Sequence, residues 1–281
     1  MKSRRNFFKT ASLTLGASGL LPLVNHASTL SFSDRKELGK MLNMGMAGFT
    51  FTNYSIDQTI SMMNRVAVVN LSLKEAHLPI TATQEQANEV VGKYKAGGIN
   101  IYAVGVIYMK DKSEVDRAFE YAKKVGVTLI IGVPEYDLLP YTEEKVKSTG
   151  MRIAIHNHGP SDKRYPGPKD VYDRIKNMDP KMGLCMDIGH ATRAGVNIAQ
   201  AVLDYKSRLF DLHIKDVTKA VEEGKAIEIG RGIIDFPSVV KALRKINYQG
   251  QCSIEFEKDM RDALPGIAES VGFFRGVMKS T

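Results

Sequence analysis

A chain of 281 residues with 43% hydrophobic and 25% charged content can bury a large core, which excludes a disordered or fibrous protein and suits one α/β domain of about 250 residues plus a short extension. The formal charge of +8 does not point to nucleic acid, because Lys2, Arg4, Arg5 and Lys9 place four of those charges in a nine-residue stretch with no acid. The remaining +4 reads as a mixed, solvated surface, so no nucleic-acid partner is expected.

In chain order, the first element is a leader. Ser3-Arg4-Arg5-Asn6-Phe7-Phe8-Lys9 precedes an apolar, small-residue run from Ala11 to Leu23, the charged-then-apolar layout of an export signal. The run is shorter than the roughly 20 residues of a permanent span, so no stable membrane span is expected once the leader is removed. The arginine pair followed by aromatics and lysine resembles a twin-arginine signal, which implies a periplasmic or otherwise exported protein delivered already folded. Residues 1–28 are assigned to the leader and residues 29–281 to the folded domain. The cleavage point is poorly marked, because Asn25 or His26 stands where a small residue is preferred.

Beyond the leader, apolar runs alternate with amphipathic segments. Leu42 to Phe51 reads as a strand, Ile56 to Arg65 as a helix, and Ala67 to Leu73 as a second strand leading to Lys74, Glu75 and His77. A helix over Thr83 to Ala96, a strand over Asn100 to Tyr108, a helix over Ser113 to Val125, a strand over Thr128 to Val133 and a helix over Thr142 to Ser148 follow. Strands at Ile153, Leu184, Leu209 and Ser253 complete eight. Helices near Lys169 to Met178, Ile198 to Tyr205 and Phe236 to Ile246 separate them, and a last helix runs from about Ala263 to Met278. Thr83-Gln84-Glu85-Gln86 and Ser113-Glu114-Val115-Asp116 supply helix starts, while Gly97-Gly98 and Gly126 supply stops. Gly159 to Pro168 and Val217 to Asp235 read as long loops suited to covering a substrate. Eight strand-then-helix units predict a single closed (β/α)8 TIM barrel. An open doubly wound sheet would carry a Gly-rich phosphate loop after its first strand, and the sequence has none there.

Four strands in the C-terminal half end in metal-binding side chains: His156 and His158, Asp187 and His190, His213 and Lys215, Glu255 and Glu257. Apart from His26, every histidine, including His77, falls at or just past a strand end. In a parallel barrel those ends open on one face, where such barrels build their active sites. Asp187, His213 and Glu255 form a mixed oxygen and nitrogen set suited to one divalent metal ion (Mn, Co, Zn or Fe), with His156 or His158 completing it. Alternation puts His156 and His158 on one face; if His156 points into the barrel mouth, His158 stands above it toward a substrate. Glu255 is one step deeper than Glu257 and the better ligand, which leaves Glu257 as a salt-bridge partner. Other candidates carry two readings each. His77 binds substrate or caps a loop, Glu135 is an acid/base group or a surface carboxylate, and Lys215 holds a substrate oxygen or pairs with Glu255. Cys185 and Cys252 lie in strands that would not be neighbours, so no disulfide is expected.

The run from Ile153 to Lys258 resembles the sugar phosphate isomerase/epimerase superfamily, also described as xylose-isomerase-like TIM barrels, with a weaker match back to about residue 40. The motifs are Ala154-Ile155-His156-Asn157-His158, Met186-Asp187-Ile188-Gly189-His190, His213-Ile214-Lys215-Asp216, Gly230-Arg231-Gly232 continuing to Asp235, and Tyr248-Gln249-Gly250 leading to Glu255. The resemblance implies a metal held by the fifth to eighth strands. It carries an Asp onto Asp187, a His onto His213 and a Glu onto Glu255, while His156 replaces the family's fifth-strand Glu. His158 matches a substrate-contacting residue, and Arg231 falls in a loop that reaches substrate in relatives. The implied activity is that of a metal-dependent isomerase or epimerase that removes a proton beside the carbonyl of a small carbohydrate through an enediolate. Glu255, Glu135, His158 and Lys215 are the proton-transfer candidates, and His77, His158, Lys215 and Arg231 the substrate contacts. Without the fifth-strand Glu, two-sided epimerisation is weakened, which keeps open a lyase or hydratase acting on 3-keto-sugars or 3-keto-glycosides. A non-catalytic, metal-stabilised sugar-binding protein is the other alternative. Asp187-Ile188-Gly189-His190 is also similar to a zinc motif of DNA-repair endonucleases of the endonuclease IV type, but Asp235-Phe236-Pro237 stands where their further Asp-x-His is needed. The sequence neither requires nor excludes an oligomer.

Overall fold

The computed structural model describes residues 42–281, and the leader assigned to residues 1–28 lies outside them. The strands are β1 (Asn43–Ala47), β2 (Asn70–Leu73), β3 (Asn100–Met109), β4 (Leu129–Pro134), β5 (Arg152–His156), β6 (Met182–Asp187), β7 (Leu209–Ile214), the two-residue β8 (Asp216–Val217) and β9 (Ala226–Ile227), and β10 (Gln251–Ile254). All but β8 and β9 pair in parallel and close into an eight-stranded barrel, β1 meeting β10 and β10 meeting β7. The helices are α1 (Ile56–Arg65), α2 (Gln84–Ala96), α3 (Lys112–Val125), α4 (Leu139–Thr149), α5 (Pro168–Ile175), α6 (Ile188–Arg193), α7 (Ile198–Asp204), α8 (Phe236–Lys245) and α9 (Leu264–Ser280). The predicted (β/α)8 architecture is the observed one. Among the described residues, no helix is long and apolar enough to cross a membrane.

Local chemistry explains most boundaries. Thr83 and Gln86 form a reciprocal capping box at the start of α2, as Ser55 and Gln58 do for α1. Helix α3 starts one residue earlier than predicted, because Asp111 rather than Ser113 accepts the Glu114 N–H, at 2.8 Å, and adds a negative charge at the positive helix end. The predicted first strand breaks at Gly48 into a 3-10 turn over Gly48–Phe51. A Cβ at Gly48 would sit 2.4 Å from the Ser72 carbonyl, so the chain crosses the end of β2 where only glycine fits. The predicted loop from Val217 to Asp235 contains the β8–β9 ribbon, anchored by Asp216, whose carboxylate accepts the Gly230 and Gly232 N–H groups at 2.9 Å each. Cys185 and Cys252 are buried free thiols on strands separated by β7.

One polar layer fills the barrel below its C-terminal mouth. The Tyr102 hydroxyl donates to Asp211 Oδ2 at 2.7 Å and meets Ser253 Oγ at 2.6 Å. Burial raises Asp211 to about 7. Tyr102→Phe removes the donor from a fully buried carboxyl, and should lower stability by about 1–3 kcal/mol in urea unfolding. An unchanged midpoint would show that the layer is not held by this hydroxyl.

Candidate active site

Strand register brings the ligand-type side chains together. His156 on β5 is level with Cys185 on β6, and Asp187 on β6 is level with His213 on β7. Ser253 on β10 is level with His213, so Glu255, two residues on, points into the same mouth from one step higher. Asn157 fixes this register through a two-way amide bridge, donating to the Asp187 carbonyl and accepting the Asp187 N–H, both at 3.1 Å. Asp187 also caps α6: its Oδ1 accepts the His190 N–H at 2.7 Å, which leaves Oδ2 facing the cluster. That short helix was missed in the sequence because its cap is a ligand candidate.

His156, Asp187, His213 and Glu255 each present a ligand atom within 4.8 Å of all the others, and all four are buried. His156 Nε2 faces His213 Nδ1 at 3.0 Å, His213 Nδ1 lies 3.3 Å from Glu255 Oε2, and His156 Nε2 lies 3.7 Å from Asp187 Oδ2. Ligands bonded at about 2.1 Å stand about 3.0 Å apart around an octahedral ion and about 3.4 Å apart around a tetrahedral one, so the spacing fits one cation. A neutral imidazole pair needs a proton between two facing nitrogens, whereas a cation there takes both lone pairs. Burial holds His156 well below the usual histidine range, helped by His213 and His158. Asp187 Oδ2 and His213 Nε2 are buried without a hydrogen-bond partner.

Lys215 lies behind these ligands, with its ammonium 3.0 Å from Asp187 Oδ2, 2.9 Å from Glu255 Oε2 and 2.8 Å from Glu257 Oε1. The Asp187 contact has the distance of an ion pair but not the angles of a hydrogen bond. Burial opposes the charge on Lys215, but the three carboxylates outweigh burial and keep it protonated. With His213 neutral, as a metal ligand is, three carboxylates and one ammonium leave two negative charges, which a divalent ion would balance. Without metal, burial opposes a charge on His213 but Cys185 and Glu255 outweigh it and raise the imidazole, whose imidazolium then offsets one of them. The sequence reading in which Lys215 pairs with Glu255 is the one the geometry favours, since the ammonium is 3% exposed and faces acids rather than the cup.

The cup above the cluster is a cavity of about 160 Å³ lined by Phe49, Lys74, Val106, Tyr108, the imidazoles of His156, His158 and His190, and the carboxyls of Glu255 and Glu257. His158 Nε2 meets the Tyr108 hydroxyl at 2.8 Å. Burial pushes His190 down to about 4, so it stands neutral on the wall. A larger cavity of about 340 Å³ opens at the opposite, N-terminal end of the strands, beside Arg152 and Lys206, and contains none of the ligand candidates.

Three predicted site residues lie elsewhere. His77 spends both ring nitrogens, on the Tyr54 carbonyl and the Tyr94 hydroxyl at 2.9 Å each, which matches its loop-holding reading and leaves nothing for substrate. Glu135 is bound by Arg164 at 2.7 Å on the rim, outside the cup lining. Arg231 is more than half exposed and paired with Glu269, so it does not reach the cup in this conformation. Conversely, Tyr108, Phe49 and Lys74 line the cup without having been selected from sequence, and His190, noted there only as a strand-end histidine, joins them. Lys74 carried a usable signal, a charged residue directly after an apolar strand. Tyr108 and Phe49 carried none, because aromatics inside apolar runs read as core.

Residues 73–277, most of the chain, match the model of the xylose isomerase-like TIM barrel family. The chain belongs to that family. A relative is the rhizopine catabolism protein MocC of Rhizobium meliloti, 27% identical over 43% of this chain and 42% of that protein. Another is the inosose dehydratase of Lactiplantibacillus plantarum, 25% identical over 80% of this chain and 73% of that protein. In several such relatives the chain spans about half the length or less, as with MocC. The crystal structure of the 3-keto-D-glucoside 4-epimerase from E. coli shares the fold, with a TM-score of 0.67 over 84% of this chain and all of that one, at 17% identity.

Proposed function

We propose that this protein is a divalent-metal-dependent enzyme that removes a proton beside the carbonyl of a small, neutral carbohydrate and proceeds through an enediolate, in the manner of a sugar isomerase or epimerase. The observation that carries this reading is the His156, Asp187, His213 and Glu255 cluster, two of whose members, His156 and Glu255, line a cup of about 160 Å³. When bound there, a divalent ion supplies positive charge to adjacent hydroxyl and carbonyl oxygens, which acidifies the neighbouring C–H group. The chain's own residues do the rest. Asn157 holds the register of the ligands, Lys215 keeps Glu255 ionised, and Glu255 on the cup wall takes the carbon-bound proton. A neutral substrate agrees with a cup whose lining lysine, Lys74, is already engaged by the Val106 carbonyl at 2.5 Å, and with Lys215 turned to acids behind it. It also agrees with the export leader expected over residues 1–28.

A second outcome, elimination beside the carbonyl as in a lyase or dehydratase, is favoured by two observations. His156 stands where the superfamily resemblance implies a glutamate, and the L. plantarum relative is an inosose dehydratase. Incubation with sugars and 3-keto-sugars in heavy water, followed by proton NMR, tests the shared step. Loss of one carbon-bound proton signal that stops with a chelator and returns with added metal is expected. Tight sugar binding without exchange for any candidate would identify a binding protein instead.

A further inference from the structure

His158, at the start of the loop after β5, lines the cup, and the polar contacts around it are laid out as a chain. Within that loop the His158 N–H donates to the Tyr165 carbonyl at 2.9 Å and the Gly159 N–H to the Pro166 carbonyl at 3.1 Å, which fixes the base of the loop. His158 Nδ1 faces Asp162 Oδ2 at 3.2 Å, an ion-pair distance without full hydrogen-bond alignment. Asp162 Oδ1 in turn accepts the Arg164 N–H at 2.7 Å. The Arg164 guanidinium lies 5.6 Å from the Tyr108 ring centre, and the Tyr108 and His158 rings stack 25° apart.

With Nε2 on Tyr108 and Nδ1 toward Asp162, His158 has no ring nitrogen left for a substrate. The Tyr108 hydroxyl stands between them. Tyr108 is 43% exposed, lines the cup and has an oxygen with an unused lone pair. The other rim candidate for this role, Lys74, is tied to the Val106 carbonyl and lies 3.5 Å from Glu75.

Building on the function proposed above, we propose that Tyr108 is a catalytic residue that moves the proton on a substrate oxygen, with His158 and Asp162 as positioning residues behind it. The carbon-bound proton goes to Glu255, and the oxygen-bound proton passes through Tyr108. In isomerisation, the Tyr108 oxygen takes the proton of one substrate hydroxyl as its own proton passes to the other substrate oxygen, with His158 and Asp162 holding the ring in place. Glu255 returns the carbon-bound proton to the neighbouring carbon, so the chain gains and loses none. In elimination, the electrons of the broken C–H bond form the new C=C bond. The C–O pair leaves with the departing oxygen, which takes the Tyr108 proton. Tyr108 then recovers a proton from water, and Glu255 releases one to water.

Tyr108→Phe in the metal-loaded protein separates the two protons. Carbon exchange in heavy water should stay within about threefold of the parent, while product formation falls by about 100-fold or more. Asp162→Asn should lower kcat by about tenfold with KM and exchange unchanged, an effect that loosening of the loop alone would not give. Turnover of Tyr108→Phe within threefold of the parent would overturn the assignment. Equal loss of exchange and turnover would also overturn it, because the residue would then serve binding or folding. Absence of exchange in the parent itself would overturn the function proposed above and this assignment with it.

Discussion

Replacing His213 with alanine should abolish stable metal binding and, with it, turnover. His213 isolates the metal better than any other ligand candidate. Glu255 and Asp187 also neutralise Lys215, so their removal would disturb an ion network as well as a ligand set. His156 is packed against His158 and His213, so its loss would open the floor of the cup. His213 meets the cluster through Nδ1, its neighbour Glu255 keeps the Lys215 ion pair when the imidazole is lost, and its Nε2 has no hydrogen-bond partner. Loss of groups that merely orient metal ligands costs about 10- to 100-fold in affinity, so loss of a ligand should cost at least about 100-fold. Calorimetric titration of chelator-treated protein with Mn²⁺, Co²⁺ and Zn²⁺ reads the affinity, and elemental analysis of freshly purified protein reads the occupancy. Parent-like occupancy and turnover in His213→Ala would show that the cluster is a buried hydrogen-bonded core.

The barrel could be read in the sequence because each element carries its own signal. Apolar runs of strand length alternate with capped amphipathic segments, and each crossover is long enough to return in parallel. The convergence of the four ligand candidates was equally legible, since alternation along a strand and closure of the barrel together decide which strand-end side chains meet. His77, Glu135 and Arg231 show where that logic stops. Each lies beyond a strand end, and the direction of a loop side chain depends on partners such as Tyr94, Arg164 and Glu269 that are distant in sequence. Tyr108 shows the opposite failure. It lies in a strand that reads as core throughout, and only the register irregularity between Val104 and Ile107 accompanies its position on the rim. Lys215 was placed on the correct face, but its depth among three acids depends on Gly189, where a Cβ would lie 2.9 Å from the lysine Cγ.

Lys215→Met should make folding depend on metal. Methionine keeps the stem that packs over Gly189 and deletes only the ammonium, leaving Asp187, Glu255 and Glu257 without their shared cation. Removing one partner of a buried ion cluster costs about 3–5 kcal/mol, which is the loss expected for the chelated variant in urea unfolding. A bound dication would neutralise Asp187 and Glu255 in place of the lysine. Saturating metal should therefore restore much of the deficit, as any ligand that binds only the folded state does. The pH dependence should also change sign. In the parent, burial raises Glu255 but Lys215 and His213 outweigh it and hold the carboxyl well below its usual range. That contribution is present above about pH 4.3 and is lost as pH falls through the folded value. In the metal-free variant the ammonium is gone and His213 faces only Glu255, so Glu257, already raised by burial, titrates further above its unfolded value. The folded state then binds more protons than the unfolded chain, and stability falls as pH rises from 5.5 to 7.5. A chelated variant as stable as the parent at both pH values would mean that Lys215 is not the counter-ion of this cluster, and that the two negative charges left for a metal had been miscounted.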